Sequence, residues 1–350
     1  MKPLLRLLQL LCLVSIVSCA STQNKTMEQQ KIKAQLSKLN VLLRDSAFAV
    51  AVASGQDAAY YEAQGKVPPA FDTNTTAVIN KNALDEKIAI NLAGFYAVEC
   101  GIGVLIDQKG NTPVYWLQKI INHQLDSPEV LLLNRFANAT WKAGQPFRSM
   151  DRITRDNFIV AASLSNEETQ KDMDQVNAAA KKLADSLKEV ANAPAAEKFK
   201  KINALMKSKA FALDMAMHME AAYYIDLKKT VPAFTVSTDT IIKNAFEEKV
   251  ATNIAGFYAL ECGLTYFASV KNKLPSTVLQ SIINGTIDKA DKQLLERFAN
   301  ATWKAGQPFR SMDRITKDNF TPFYFLSKEE IEKDWVQITT VAKKILPLLQ

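Results

Sequence analysis

The amino-acid sequence predicts an all-α protein made of two homologous helical domains, about five helices each. Three observations lead there. Gly (11) and Pro (12) are scarce in 350 residues, while Ala, Leu, Lys and Glu are abundant, which favours helix over sheet. Apolar residues recur at helical spacing through most of the chain, and no stretch alternates convincingly as a strand does. The segment RFANATWKAGQPFRSMDRIT occurs twice without a difference, at Arg135–Thr154 and Arg297–Thr316, inside a looser duplication with an offset of 162 to 163 residues.

The duplication extends over nearly the whole chain. Asn91-Leu92-Ala93-Gly94-Phe95-Tyr96 corresponds to Asn253-Ile254-Ala255-Gly256-Phe257-Tyr258, and Glu99-Cys100-Gly101 to Glu261-Cys262-Gly263. Ala58-Ala59-Tyr60-Tyr61 matches Ala221-Ala222-Tyr223-Tyr224. The boundaries are a signal segment at 1–18, a tether at 19–29, repeat 1 at 30–191 and repeat 2 at 192–350. A unit of that size is a domain rather than a solenoid repeat, and each is long enough to bury its own core.

Within each repeat the helices follow in order. The first is expected over about Met27–Tyr61 and Ala195–Leu227, broken by the Val67-Pro68-Pro69 and Val231-Pro232 stretches. A second starts near Asn80 or Asn82, with Asp85 and Glu86 in the first turn where the helix dipole favours them. It is apolar nearly all round in its second half and reads as the central helix; Asn91 and Glu99 mark it as a core helix rather than a membrane span. A short helix around Val114–Asn122 follows. The next begins at Asp126 (Asp288 in repeat 2) and is expected to end where Gly144 supplies a left-handed stop and Pro146 forbids continuation. The last opens with a capping box, Ser165 to Glu168 and Ser327 to Glu330.

The N-terminus carries a basic start (Lys2, Arg6) and an apolar run from Leu7 to Val17, the pattern of a secretory signal. It closes on Ile16-Val17-Ser18-Cys19, which resembles the lipobox of bacterial lipoproteins. That resemblance implies cleavage before Cys19 and acylation of that cysteine. Ala20 after the cysteine, rather than Asp, points within the same pattern to the outer membrane, with the helical domains in the periplasm. Acyl chains contribute about 0.8 kcal/mol per buried methylene, enough for a stable anchor when several are present. The membrane is therefore an expected partner, through the lipid.

Formal charge is +7, and loss of Lys2 and Arg6 with the signal leaves +5. Spread thinly along the chain, this fits acidic partners but not nucleic acid. The identical segment concentrates charge: Arg135, Lys142, Arg148 and Arg152, repeated as Arg297, Lys304, Arg310 and Arg314, against one carboxylate per copy. Arginine beside a helix end grips carboxylate or phosphate bidentately, so the segment is a candidate site for an acidic small molecule or envelope protein, present twice. The bland reading folds Phe147, Met150 and Ile153 onto the core and pairs the cations internally.

Glu99 and Glu261 sit on the apolar central helices, where a carboxylate is either paired with an arginine or raised in pKa. An enzyme using them beside the arginines is the competing function, and a purely structural envelope protein a third. Cys100 and Cys262 occupy equivalent positions and could form a disulfide if the central helices meet about a twofold; buried thiols are the alternative. Met215, Met217, His218 and Met219 have no counterparts in repeat 1, so no metal is assigned, and no motif calls for a cofactor.

Overall fold

The computed structural model describes residues 26–71, 77–226, 228–234 and 239–350. Cys19 and the segment resembling a lipobox lie outside them. The described residues are about 76% helical, as expected, but each half contributes seven helices among them rather than five. In the first half these are α1 (26–43), α2 (Ser46–Glu62), α3 (Ala83–Asn91), α4 (Ala93–Lys109), α5 (Pro113–Ile121), α6 (Ser127–Arg148) and α7 (Asn166–Ser186). Their counterparts are α8 (Ala195–Met206), α9 (Lys209–Asp226), α10 (Ala245–Asn253), α11 (Ala255–Lys271), α12 (Pro275–Ile283), α13 (Lys289–Arg310) and α14 (Lys328–Leu349).

The extra helices come from breaks that charge and capping impose. Asp45 stops the first long helix and caps the next, its carboxylate accepting from the Ala47 and Phe48 amides at 2.8 and 3.0 Å. Asn82 caps α3 in the same way. The expected second helix is divided at Leu92, whose amide bonds to the Ala89 carbonyl. Ala83–Lys109 is long and apolar enough to cross a membrane by length and composition, yet 83% of its window is buried inside the protein.

A two-stranded antiparallel ladder was not anticipated. β1 (Val78–Asn82) pairs with β2 (Thr240–Asn244), Val78 opposite Asn244 and Asn80 opposite Ile242. Each strand finds its partner in the other half, so the pairing leaves little trace in local sequence. The Ala83 amide bonds to the Asp239 carbonyl and, reciprocally, the Ala245 amide to the Ala77 carbonyl.

The identical segment does not stop where expected. α6 runs through Gly144 and Pro146 to Arg148, and α13 through Gly306 and Pro308 to Arg310. The proline lies in the last turn, where it forfeits one backbone bond without breaking a longer run. Gly144 serves close approach instead of a left-handed turn: a Cβ there would lie 2.8 Å from the Phe309 ring, and one on Gly306 would lie 2.9 Å from the Phe147 ring. Those two rings stack on each other at 5.5 Å. Phe136 and Phe298 stack at 4.0 Å further along the same helices.

The halves therefore share one core. α6 packs on α13 at the pseudo-twofold axis, α4 and α11 flank them, and both halves contribute to a single apolar cluster. α2 of the first half packs on α10 and α14 of the second, while α9 packs on α3 and α7 of the first. The expectation that each repeat buries its own core is replaced by an intertwined pair. Fusing two copies lets copy-to-copy contacts serve as core, and Phe136, Lys142, Gly144 and Phe147 of the unchanged segment make such contacts.

Candidate functional site

Of the eight cations predicted to meet a ligand, four are instead built into the interior. Lys142 and Glu261 are both 0% exposed, with Nζ donating to Oε2 at 2.6 Å. Lys304 and Glu99 repeat the pair at 2.6 Å. Each carboxylate takes a second bond from the opposite half's 3₁₀ turn: the Ala161 amide donates to Glu261 Oε1 at 2.7 Å and the Phe323 amide to Glu99 Oε1 at 3.2 Å. The expected arginine partners are thus lysines, and they come from the other half. Arg135 is buried and donates to Asn134 Oδ1 at 2.8 Å. Arg297 pairs with Asp107 and lies 4.2 Å over the Phe323 ring.

Cys100 and Cys262 are free and buried, so the disulfide considered from sequence is not formed. The axis runs between α6 and α13, which separates the helices carrying the two sulfurs. Each sulfur instead lies 3.1–3.2 Å from its neighbouring glutamate. Burial and that carboxylate push both thiols well above their usual pKa. Met215 and Met219 are core residues, and His218 Nε2 sits 3.0 Å from the Ala178 carbonyl.

The other four cations face differently. Arg310 and Arg314 both donate to one acceptor, Gln307 Oε1, at 3.4 and 3.3 Å. Arg148 and Arg152 do the same with Gln145 Oε1, at 3.3 Å each. Among the described residues, none of the four guanidiniums has a carboxylate within 4.0 Å. Two positive charges sharing one neutral oxygen are electrostatically unsatisfied. Burial, and then repulsion from Arg314, push Arg310 down to about 10, and Arg148 is lowered by burial and by Arg152. The helix ends above them are already capped: Lys81 donates to the Arg310 carbonyl at 2.7 Å and Lys243 to the Arg148 carbonyl at 3.0 Å. Lys81 also holds Glu248 and Lys243 holds Glu86; those carboxylates act on Arg310 and Arg148 only from beyond ion-pair distance.

Arg310 and Arg314 stand in the wall of a cavity of about 560 Å³, within the usual size of a small-ligand site. α13 supplies Asn300, Trp303 and Gln307 along the same wall; α2 supplies Gln56, Asp57, Tyr60 and Tyr61; α10 supplies Glu248, Lys249 and Asn253; α14 supplies Glu330, Lys333, Asp334 and Gln337. Most lining charges are paired: Lys249 with Asp57 at 3.4 Å, Lys333 with Glu330 at 2.7 Å, Glu248 with Lys81 at 2.7 Å. Asp334 is buried beside the Asn300 amide (3.4 Å), and desolvation raises its carboxyl to about 8. Glu99 and Glu261 do not line this cavity.

Gln56 was missed from sequence. It is 3% exposed, and among the described residues its Nε2 has no hydrogen-bond partner. The signal was present: Ala49, Val52, Ala53 and Gln56 share one face of α2, so an amide falls in an apolar stripe, where the second half has Met219. Asp334, on the helix opened by Ser327, carried no motif at all.

No family model, no curated protein and no solved structure matches the chain.

Proposed function

We propose that this chain is a lipid-anchored protein of the bacterial envelope, held at the outer membrane through Cys19, whose helical body binds a small anionic ligand without chemically changing it. The observation that carries the binding reading is the Arg310–Arg314 pair. Two guanidiniums in a cavity wall share one neutral acceptor and, among the described residues, have no carboxylate within 4.0 Å, which is the electrostatic state an anion relieves. The arrangement supports binding over acid–base catalysis, because Glu99 and Glu261 are locked in buried lysine pairs away from the cavity.

The test uses inorganic phosphate as the simplest probe. Phosphate is expected to raise the thermal midpoint of the wild-type chain in a saturable way, and Arg310→Ala/Arg314→Ala is expected to cut that rise by more than Arg148→Ala/Arg152→Ala does. An equal rise in the two double variants would overturn the assignment. For the anchor, cells expressing the full chain are labelled with palmitate. Label should enter the wild-type protein and be lost in Cys19→Ala; label retained in the variant would remove the lipidation reading.

A further inference from the structure

The duplication makes a second copy of the cavity wall, and the two copies differ where it matters. Residues at equivalent positions are shared at the rim: Tyr60 and Tyr223, Glu248 and Glu86, Arg310 and Arg148, Arg314 and Arg152. At the floor Asn300, Trp303 and Asp334 recur as Asn138, Trp141 and Asp172, and the difference is confined to two positions. Gly256 and Gly94 fix the equivalence: a Cβ on Gly256 would lie 2.6 Å from Gln56 Nε2, and one on Gly94 would lie 2.6 Å from Met219 Cε. The same site holds an amide in one half and a thioether in the other. Thr252 is likewise replaced by Ile90. Met219 is 0% exposed and belongs to the apolar core, so its half offers a thioether and no amide donor at this position. Gln56 leaves a buried donor without an acceptor, a state that costs about 1–3 kcal/mol if nothing fills it. Gln56 lines the cavity, and half a turn of its amide about the last torsion exchanges the NH₂ and C=O ends with no movement of the chain.

The distance between the two ends of the cavity constrains what fits. Asn300 and Arg310 are ten residues apart on one helix, about 15 Å at 1.5 Å per residue. The rim end offers two guanidiniums. The floor end offers the Gln56 and Asn300 amides and the Asp334 carboxyl, with Trp303 between. An extended chain of about four residues spans that distance at 3.3–3.6 Å each.

We propose that the protein takes one ligand only, in the Gln56 half, and that this ligand is an extended organic acid of the short-peptide class, its terminal carboxylate on Arg310 and Arg314 and a distal amide carbonyl on Gln56. This rests on the anion-binding reading above and deepens it. Asp334, kept protonated by burial, adds a second donor at the same end.

The experiment is calorimetric titration of the full chain with N-acetyl-tetra-alanine as free acid and as C-terminal amide. The free acid is expected to bind with a stoichiometry of one, and the amide at least tenfold more weakly. Gln56→Met installs the residue the other half already accommodates, so the fold is expected to persist by circular dichroism while free-acid affinity falls at least tenfold. A stoichiometry of two, or full affinity in Gln56→Met, would overturn the asymmetry. Equal binding of acid and amide, or no binding of either while phosphate still acts through Arg310 and Arg314, would overturn the ligand class. Loss of the phosphate effect itself would instead sink the anion-binding reading beneath both.

Discussion

Replacing Lys142 by Met removes the cation from a pair in which neither partner is exposed to solvent. The stem is nearly isosteric, so packing is retained and the change isolates the charge. Glu261 then keeps one bond from the Ala161 amide and its contact with the Cys262 thiol, neither of which neutralises it. Breaking a buried pair by removing one partner costs about 3–5 kcal/mol, a large share of the 5–15 kcal/mol that typically separates folded from unfolded chains. Lys142→Met/Glu261→Gln removes both charges and keeps an acceptor for Ala161; it is expected within about 2 kcal/mol of wild type, the residue being the orphaned amide nitrogen. Urea unfolding followed by circular dichroism measures all three by linear extrapolation. The double variant should be more stable than Lys142→Met alone, and Lys304→Met with Glu99→Gln should reproduce the cycle. If Lys142→Met falls within about 0.5 kcal/mol of wild type, or if the two changes simply add, the pair is not the interior device described.

Two further outcomes follow from the same interior. Asp334 has a folded pKa of about 8, raised by burial above its unfolded value of 3.8. Below the lower value both states are protonated and there is no penalty; as pH rises towards the upper one, the unfolded chain releases its proton first and stability declines. Asp334→Asn should therefore match wild type near pH 4 and gain on it by about 1.4 kcal/mol per pH unit up to pH 8, read from urea midpoints at each pH; a constant difference would refute this. Cys100 and Cys262, buried and with raised pKa, should resist iodoacetamide at pH 8 until urea unfolds the chain, as peptide mapping would locate; rapid native labelling at either would contradict their burial.

What could be read from sequence was what is decided locally. The Asn82 cap with Asp85 and Glu86 placed the start of α3, and Pro128 with Asp126 placed the start of α6. What escaped depends on residues about 162 positions away. Gly144 has the sequence context of a helix stop, and only the Phe309 ring against it explains why the helix continues. β1 is too short and polar to announce itself without β2. The eight cations of the repeated segment looked alike on paper, and they separate into four buried groups, Lys142, Lys304, Arg135 and Arg297, and four in two half-buried pairs. Gln56 needed both levels: its place in an apolar stripe was legible, its missing partner was not.

The stacking of Phe136 on Phe298 and the exchanged lysine–glutamate pairs are contacts that two separate copies could make only by colliding. Joined in one chain, the halves meet at an effective concentration of order millimolar, whatever the number of molecules in the cell. Assembly is then first order, and dilution does not undo it. The join also releases a constraint that identical subunits cannot escape. In a pair of identical chains any mutation appears on both sides of the axis at once, whereas here Gln56 could be retained while its mirror position became Met219. A symmetric scaffold with one specialised face is the outcome that fusion alone permits.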